Sequence, residues 1–486
     1  METIVDYIEK QSRLFPRKIF ITENNVSIRF SEFSSLVKKV CFFFQQKGVK
    51  KGQRIILYIH NRTNHTLSYF AAMSMGAIPV HVYPEKHWDY IEYASNQTGA
   101  SMVITDRGFP DKSFNLPDIY QCPELDKNSP EYSSKERSEI AYMMFTSGTT
   151  GKPKAVMTTH ENILFVTKTI IKIAGMNSNE KEIIFLPLGS TGGLGHLHCC
   201  LFLGNHALFL SKFFMSLNDE DLNEMLTIID SEKVTGFLAT PMIIQKLVQN
   251  HKTKFIRVAK NLKYLLANIH PMKEDRIIEL LKLLPHTRFA MYYGLTEASR
   301  SVYNIYNQTK KYSKTGHAAE GVSLKIANPD FKTGFGEVLI KGGNVAKGYW
   351  GKTNSMLNEQ GWFASGDIGS IDTDGFLTIH GRVREMINVA GMKVTPSEIE
   401  TVLNACAGVA ESAVVGVEDN LTYHKICAAI VIKDNVHKES FAKELDGYLN
   451  EKLEYYKKPV QIIYVEQLPK TELGKTLRAK VKEYFI

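Results

Sequence analysis

The sequence predicts an α/β protein in two parts: a large amino-terminal domain of parallel-rich sheets with crossover helices, and a small α+β domain at the carboxyl end. Strand-like and helix-like segments alternate over residues 54–106, the alternation resumes over 183–284, and the pattern changes after Arg382. Alternation of this kind is typical of parallel sheets joined by crossover helices. At 486 residues, the chain also exceeds what one hydrophobic core usually supports.

The first alternating region has the order strand, helix, strand, helix, strand. The strand-like pieces are short and apolar, whereas the two pieces between them carry apolar residues at helical spacing. In chain order, the five segments are residues 54–59, 63–75, 77–82, 88–96 and 101–105. We expect three parallel strands joined by two helices.

The second alternating region repeats this arrangement with short buried strands. The predicted strands are residues 183–186, 207–210, 234–238 and 264–266. Helices are predicted in the same region at residues 222–229 and 277–284. The region should therefore extend the parallel part of the fold.

The run 183–210 contains no Asp, Glu, Lys or Arg and is long enough on paper to cross a bilayer. Pro187 and several glycines interrupt it. A strand followed by a glycine-rich loop accounts better for this composition. We therefore expect no membrane span.

The last hundred residues predict a compact α+β module. Thr395-Pro-Ser-Glu398 is a capping box with proline at the first helical position, which predicts a helix that continues to about Ala405. Strands are expected at residues 413–417, 427–432 and 460–465, with a helix at 440–453 between the last two.

Composition narrows the class of partner and the compartment. The formal charge of +8 and the isoelectric point near 8.9 suit anionic ligands, but the basic residues are scattered, so no nucleic-acid partner is expected. Six cysteines show neither a CxxC pair nor zinc-like spacing, which indicates a reducing compartment. The first ten residues carry charge throughout and lack an apolar signal core, so we expect a cytoplasmic location.

A loop rich in glycine and hydroxyl groups follows the apolar run 140–145. Gly148 and Gly151 let the backbone approach a ligand, and Lys154 adds positive charge. The hydroxyl donors are Thr146, Ser147, Thr149 and Thr150. This composition predicts a loop that holds phosphate.

The loop is not a Walker P-loop. Only two residues separate Gly148 from Gly151-Lys152, where that motif requires four, and Pro153 stands where Ser or Thr should bind magnesium. The chain is therefore not expected to be a P-loop NTPase.

Five further motifs follow in a set order. They are Tyr293-Gly-Leu-Thr-Glu297, the Gly-Glu strand and Gly-Tyr turn of residues 336–349, Gly361-Trp-Phe-Ala-Ser-Gly-Asp367, Gly381-Arg382 and Leu468-Pro-Lys-Thr-Glu-Leu-Gly-Lys475. Together with the phosphate loop, they resemble the adenylate-forming superfamily of acyl-CoA synthetases, aryl-CoA ligases, luciferases and peptide-synthetase adenylation domains. The resemblance runs from about residue 5 to the end.

This resemblance implies a binding site for ATP and Mg²⁺ in the amino-terminal AMP-binding domain, residues 1–382. Tyr293 of the aromatic-Gly-x-Thr-Glu motif would lie against adenine, with Gly294 beside it. Thr296 would contact the α-phosphate, and Glu297 would help to hold the metal ion. The Gly-Tyr turn would be mostly architectural.

The resemblance also assigns roles toward the carboxyl end. Asp367 would bind both ribose hydroxyls with support from Arg382, and Lys475 would be the catalytic lysine. Arg384 would be the hinge about which a mobile domain, residues 385–486, turns. The loop at Gly391 would face the pantetheine of CoA, or of a carrier protein, after that rotation.

The implied reaction is ATP-dependent activation of a carboxylic acid to an acyl-adenylate, followed by transfer to a thiol, for which CoA is preferred. Negative charge accumulates at the α-phosphate, so catalysis should depend on positioning and on cations such as Lys154 and Lys475. A ligase that loads a carrier protein is the closest alternative. A luciferase-like or non-catalytic nucleotide-binding protein fits less well, because every position for nucleotide and lysine chemistry is filled.

The acid itself stays open among aryl, short-chain and medium-chain acids. The Phe-Asp pair that holds an α-ammonium group is missing between residues 186 and 203, so an α-amino acid is not expected. Asn268-Ile-His-Pro271 is bulkier than the Gly-Gly-Ala-Pro of many relatives and would narrow the acyl pocket. The candidate pocket residues are Ser190, which stands where many CoA ligases carry a histidine, Gly193, His196 and His270.

Overall fold

The fold was determined as a computed structural model. The structure describes residues 2–83, 86–106, 113–115, 136–146, 153–210, 218–268, 272–331, 333–351, 356–389, 392–419, 423–434, 436, 438–470 and 474–486.

The helices of the described residues have the following bounds: α1 (Asp6–Leu14), α2 (Phe30–Gln46), α3 (Arg62–Ser74), α4 (Trp88–Thr98), α5 (His160–Ala174), α6 (Thr191–Leu203), α7 (Asp219–Ser231), α8 (Pro241–Asn250), α9 (Lys252–Ala259), α10 (Glu274–Leu283), α11 (Pro396–Ala405), α12 (Lys438–Lys452) and α13 (Arg478–Lys482). No helix within these ranges combines the length and the apolar character that crossing a bilayer requires.

The strands are β1 (Ile19–Glu23), β2 (Val26–Arg29), β3 (Arg54–Tyr58), β4 (Ile78–His81), β5 (Met102–Thr105), β6 (Ser113–Asn115), β7 (Ile140–Phe145), β8 (Ala155–Thr159), β9 (Lys181–Ile184), β10 (His206–Phe209), β11 (Gly236–Ala239), β12 (Tyr264–Asn268), β13 (Arg288–Tyr293), β14 (Val302–Ile305), β15 (His317–Ala318), β16 (Val322–Ala327), β17 (Gly336–Gly342), β18 (Gly348–Tyr349), β19 (Phe363–Ile371), β20 (Leu377–Arg382), β21 (Ile387–Val389), β22 (Met392–Val394), β23 (Val409–Asp419), β24 (Tyr423–Ile432) and β25 (Gln461–Tyr464).

The first alternating region forms part of a sheet with the order β18-β8-β7-β4-β3-β5-β6. Strand β3 pairs in parallel with both β4 and β5, and α3 and α4 lie between these strands in the chain. The three strands are buried along their apolar residues, which is typical of a parallel sheet covered on both faces. The predicted strand-helix-strand-helix-strand order is therefore confirmed.

The second alternating region builds a larger sheet with the order β15-β14-β13-β12-β11-β9-β10-β1-β2. Its central pairings, from β13 through β12, β11 and β9 to β10, are parallel. Antiparallel strands complete it at both ends. The α/β class with parallel-rich sheets is confirmed, and β13 brings the Tyr293 motif to the carboxyl end of a parallel strand.

The expectation of a glycine-rich loop after β9 is wrong, because most of that segment is helix α6. Ser190 caps the helix: its Oγ accepts the Gly193 N–H at 3.2 Å. A Cβ on Gly193 would lie 2.5 Å from the carbonyl oxygens of Leu186 and Pro187, so glycine permits the close approach of this first turn. The helix is buried along nearly its whole length, and tertiary packing outweighs the poor helix propensity of glycine.

The chain forms two compact units, one of residues 1–324 and 340–364 and the other of residues 325–339 and 365–486. The second unit contains a sheet of order β22-β21-β24-β23, with β25 paired to β24. Helices α11 and α12 pack on it through residues such as Leu403 and Phe441. The boundary proposed from the resemblance, with a hinge at Arg384, concerns motion and stays a prediction.

The capping box of the second unit forms as expected. The Thr395 N–H donates to Glu398 Oε1 at 2.7 Å, and α11 begins at Pro396. The three strands and the helix predicted beyond it are present as β23, β24, β25 and α12. Strands β21 and β22 add a hairpin that the sequence did not predict.

Candidate active site

The two ends of the predicted phosphate loop are held together at the mouth of the β7–β8 hairpin. The Thr146 N–H donates to the Lys154 carbonyl at 3.0 Å, and the Lys154 N–H donates to Thr146 Oγ1 at 3.3 Å. The Tyr93 hydroxyl donates to the Pro153 carbonyl at 2.8 Å. The chain between these ends, Ser147, Gly148, Thr149, Thr150 and Gly151, lies outside the described residues.

Thr296 and Glu297 lie in a tight turn directly after β13. The Leu295 N–H donates to the Ala298 carbonyl at 3.0 Å, and the Ala298 N–H donates to the Leu295 carbonyl at 3.2 Å. A Cβ on Gly294 would lie 2.5 Å from the Arg300 nitrogen, so the turn requires glycine there. Both Thr296 and Glu297 are half-buried, while Tyr293 is buried.

Tyr349 connects Glu297 with Lys154. Its hydroxyl donates to Glu297 Oε1 at 2.7 Å, and the Lys154 ammonium lies 4.8 Å from the centroid of its ring. The antiparallel pairing of Tyr349 with Val156 brings the ring to this place. Burial, together with the Glu297 carboxylate, raises the pKa of Tyr349, so the phenol stays a proton donor. The Gly-Tyr turn, expected from the sequence to be mostly architectural, therefore also supplies a contact of the site, which no local sequence pattern indicates.

These groups fit a magnesium ion carried by a nucleotide. Magnesium usually keeps several waters and takes one or two carboxylates together with substrate phosphates. Tyr349 occupies Oε1 of Glu297, and Oε2 accepts no hydrogen bond from a described residue. Within the described ranges, no group of three or more His, Cys, Asp or Glu side chains could hold a metal by itself. Glu297 would therefore supply one ligand.

A narrow cavity lies beside Thr296, with about 400 Å³ of empty space, part of it open to solvent. Helices α5 and α6 supply much of its wall. Most of the exposed lining surface is apolar and includes Ile163, Val166 and Ala346, but hydrogen-bonding side chains also contribute to it. They include Tyr142, Thr158, Asn162, Thr191, His198 and Asn344.

The predicted pocket residues have mainly local contacts. Ser190 Oγ donates to the Pro187 carbonyl at 2.7 Å while it caps α6, and Gly193 forms the tight first turn of that helix. His196 is 1% exposed and its Nδ1 contacts the buried carboxylate of Glu182. His270 lies outside the described residues. Their role toward a substrate stays a prediction.

His198, rather than His196, lines the cavity. Its Nε2 lies 2.8 Å from the Tyr69 hydroxyl, and burial lowers its pKa to about 3, so the imidazole is neutral. Residues two apart on a helix point in different directions, since side chains share a face only at spacings of three and four. The sequence would have separated the two histidines if the segment had been predicted as a helix.

In the second unit, Asp367 and Arg382 are directly paired. They are register partners on β19 and β20, and Arg382 Nε lies 2.7 Å from Asp367 Oδ1. Asp367 is 3% exposed, and its N–H donates to Ser365 Oγ at 3.1 Å. The two residues that the motifs assign to one ribose therefore lie side by side.

Lys475 lies on the loop that precedes α13. The loop is closed by a bridge between Lys470 and Thr476 and by a bond of 2.8 Å from the Leu477 N–H to the Pro469 carbonyl. Burial lowers the pKa of Lys475, and Arg382 adds to this effect. Arg384 lies in a short 3₁₀ turn, Val383–Glu385. Gly391 lies outside the described residues.

Comparisons with known proteins agree with this architecture. A family model described as "AMP-binding enzyme" matches residues 8–350, and a second, described as "AMP-binding enzyme C-terminal domain", matches residues 398–475. A feruloyl-CoA synthase from Amycolatopsis sp. is 25% identical, with 98% of each chain covered. A medium-chain fatty-acid–CoA ligase from Escherichia coli (strain K12) is 26% identical over 97% of this chain and 88% of that protein.

A solved structure with the same fold is the o-succinylbenzoate CoA synthetase from Bacillus subtilis in complex with an acyl-adenylate intermediate. It superposes with a TM-score of 0.86 at 23% identity, covering 98% of this chain and 97% of that one. The same enzyme in complex with ATP and a magnesium ion gives a TM-score of 0.84 at 23% identity, covering 98% of this chain and 99% of that one.

Proposed function

Because this chain belongs to the AMP-binding enzyme family, we propose that it is an acid–CoA ligase that activates a carboxylic acid as an acyl-adenylate and then transfers the acyl group to CoA. The observation that carries the proposal is the arrangement of Glu297, Tyr349 and Lys154 beside the ends of the phosphate loop. The relatives named above are CoA ligases and match this chain over nearly its whole length. ATP and Mg²⁺ are the cofactors.

The first step joins the acid to AMP. A carboxylate oxygen of the acid attacks the α-phosphorus, the bond from that phosphorus to the bridging oxygen breaks, and pyrophosphate leaves. Lys154 provides positive charge toward the phosphates, and Thr296 donates to the α-phosphate. A magnesium ion bound at Glu297 would offset the charge of the phosphate oxygens. Such preorganised charges act where negative charge develops in the transition state.

The remaining residues bind the nucleotide and complete the charge stabilisation. Tyr293 packs against adenine, and the paired Asp367 and Arg382 hold the ribose. Lys475 stabilises the carboxylate and the α-phosphate in the first step. In the second step, the CoA sulfur attacks the acyl carbon, the bond to the phosphate oxygen breaks, and AMP leaves. We propose that the carboxyl-terminal unit turns near Arg384 between the two steps, with the loop at Gly391 facing the thiol arm.

The purified protein tests the proposal in an ATP–pyrophosphate exchange screen across carboxylic acids. We expect exchange with at least one acid, and thioester formation when CoA is then added. Adding a holo-carrier protein in place of CoA tests the alternative, a ligase that loads a carrier protein. Acyl transfer to the carrier protein but not to CoA would show that the carrier protein is the acceptor. Failure to release pyrophosphate with any acid would contradict the function itself.

We also propose that the enzyme acts in the cytoplasm. This location is supported by the buried cysteines Cys199, Cys200, Cys406 and Cys427, which are free thiols within the described residues and need no oxidising compartment. The partners are a small carboxylic acid and a thiol acceptor.

A further inference from the structure

Arg300 is a buried cation directly behind the wall of the cavity beside Thr296. It is 2% exposed, and its guanidinium carbon lies 4.2 Å from the centroid of the Tyr292 ring. Its Nη1 donates to the Thr191 carbonyl at 3.1 Å and to Ser299 Oγ at 3.0 Å. Both Thr191 and Ser299 line the cavity. The charge therefore sits one residue away from the cavity.

The rest of the guanidinium lacks a protein acceptor. Nε and Nη2 of Arg300 are buried and donate to no described residue. No carboxylate of the described residues pairs with Arg300, and the nearby Glu182 is taken by His196. A buried arginine stays charged and is normally paired, since an unpaired buried charge is strongly destabilising. Two N–H donors of this cation are therefore open to an acceptor from outside the described residues.

The unpartnered Nη2 of Arg300 lies close to Gly195, a residue of the cavity wall. A Cβ on Gly195 would lie 3.6 Å from Arg300 Nη2, and Gly195 itself lines the cavity. Glycine at this place leaves no side chain on Gly195 between the cation and the cavity. The backbone of Arg300 also has a φ of 54°, a left-handed conformation that non-glycine residues adopt at a cost and that clusters at functional sites.

Ser299 links the positive charge of Arg300 to the cavity through a hydrogen bond. Its Oγ accepts from Arg300 Nη1, which leaves its own O–H to donate to a ligand. A hydrogen bond accepted from a cation polarises the hydroxyl and makes it a stronger donor.

We propose that this cavity takes the acyl part of a short carboxylic acid that carries a second anionic group, and that Arg300, acting through Ser299, selects for that group. The inference rests on the proposed acid–CoA ligase function and names its substrate class, a short dicarboxylic acid. The narrowness of the cavity limits the chain length, and the second negative charge accepts a hydrogen bond from Ser299 while the guanidinium behind Ser299 stabilises that charge. Arg300 is a specificity-determining residue in this account, and it takes no part in bond making.

The first test compares acids of equal chain length in ATP–pyrophosphate exchange by the wild-type protein. The probes are succinate against butanoate and 4-hydroxybutanoate, and glutarate against pentanoate and 5-hydroxypentanoate. We expect kcat/KM for one dicarboxylate to exceed that of its unsubstituted partner at least tenfold. An equal or higher value for the unsubstituted or the hydroxy acid overturns the inference but leaves the ligase function standing, whereas no exchange with any acid refutes the ligase function.

The second test uses Arg300→Met, which removes the charge and keeps the length, and Ser299→Ala, which removes only the hydroxyl. Both should lower the ratio of kcat/KM for the dicarboxylate to that for the unsubstituted acid at least tenfold. Arg257→Met, at an exposed position on α9, is the matched control and should keep the wild-type ratio. If Arg300 had a purely structural role, its loss would lower kcat/KM for both acids and leave their ratio unchanged. That result would contradict the inference. If Arg300→Met does not fold, the ratio for Ser299→Ala decides.

Discussion

Tyr349 donates a hydrogen bond of 2.7 Å to Glu297 Oε1, although 52 residues separate the two in the chain. The same ring lies under the Lys154 ammonium, 4.8 Å from ring centroid to nitrogen. A residue of the Gly-Tyr motif therefore orients the carboxylate assigned to the metal and forms a platform for the lysine of the phosphate loop. Three motifs of the sequence meet at one aromatic side chain.

The variant Tyr349→Phe should weaken the use of magnesium. It keeps the ring under Lys154 but leaves Glu297 without its donor, and a hydrogen bond to a charged group is worth about 1.5–3 kcal/mol. We expect roughly a tenfold loss or more of ATP–pyrophosphate exchange at limiting Mg²⁺, partly recovered by excess metal. Tyr455→Phe, at a position that is 80% exposed, is the control. An unchanged magnesium dependence in Tyr349→Phe would rule out this positioning role.

Lys475→Ala should separate the two half-reactions. Loss of a preorganised positive charge costs roughly 3 kcal/mol or more of barrier, so adenylation should fall a hundred- to a thousand-fold. Thioester formation from a supplied acyl-adenylate and CoA should stay close to the wild-type rate. Lys480→Ala, at an exposed position on α13, serves as the control for the loss of a charge alone. Equal loss of both half-reactions would contradict the moving-domain account.

The pH dependence of adenylation should reflect Lys475. Burial, then Arg382 and also Arg384, lower its pKa in opposition to Glu385 and Asp367, so the ammonium loses its proton at a lower pH than an ordinary lysine. The pH dependence of kcat/KM for ATP reports groups of the free enzyme. Because the charged form of Lys475 is required, kcat/KM should fall at a pH lower than that at which an ordinary lysine loses its proton. Lys475→Arg keeps its charge, so whatever activity remains should lose this alkaline limb. A limb that persists in Lys475→Arg belongs to another group.

The lowered pKa of Lys475 also makes the folding stability depend on pH. The unfolded chain binds this proton more tightly than the folded one, so folding stability should rise with pH between the lowered pKa and the ordinary value. At neutral pH, Lys475→Met should therefore leave the melting temperature unchanged or raise it slightly. A large fall in the melting temperature would show that Lys475 stabilises the fold.

Gly294→Ala should damage the site through its turn. The added Cβ would lie 2.5 Å from the Arg300 nitrogen and 2.9 Å from the Ala298 carbonyl oxygen, and backbone atoms cannot yield without moving Thr296 and Glu297. We expect at least a hundredfold loss of pyrophosphate exchange. Exchange at the wild-type rate would show that the turn is not needed in this form.

A glycine in the second unit provides the matched control for that substitution. A Cβ on Gly447, in the exposed part of α12, would meet nothing within 4 Å. Because alanine favours a helix over glycine, Gly447→Ala should stabilise the protein by about 0.5–1 kcal/mol without loss of exchange. Chemical denaturation followed by circular dichroism measures the difference.

Much of the fold was predictable because its signals are local. The alternation over residues 54–106 predicted β3, α3, β4, α4 and β5, and the Thr395–Glu398 capping box predicted the start of α11. Apolar periodicity and end-capping act within a few residues, so a linear sequence contains them completely. The order of the motifs likewise indicated the family, which the matches over residues 8–350 and 398–475 confirm.

The tertiary structure alone decided the features whose causes lie far apart in the chain. Helix α6 contradicts its glycine-rich sequence because burial between packed elements stabilises it, and its register is what separates His198 from His196. The contact between Tyr349 and Glu297 exists because β18 pairs with β8, and Arg300 lies behind the cavity because α6 packs beside it. Sequence patterns record what each residue prefers locally, whereas a partner dozens of residues away is chosen by packing, which depends on the whole chain at once.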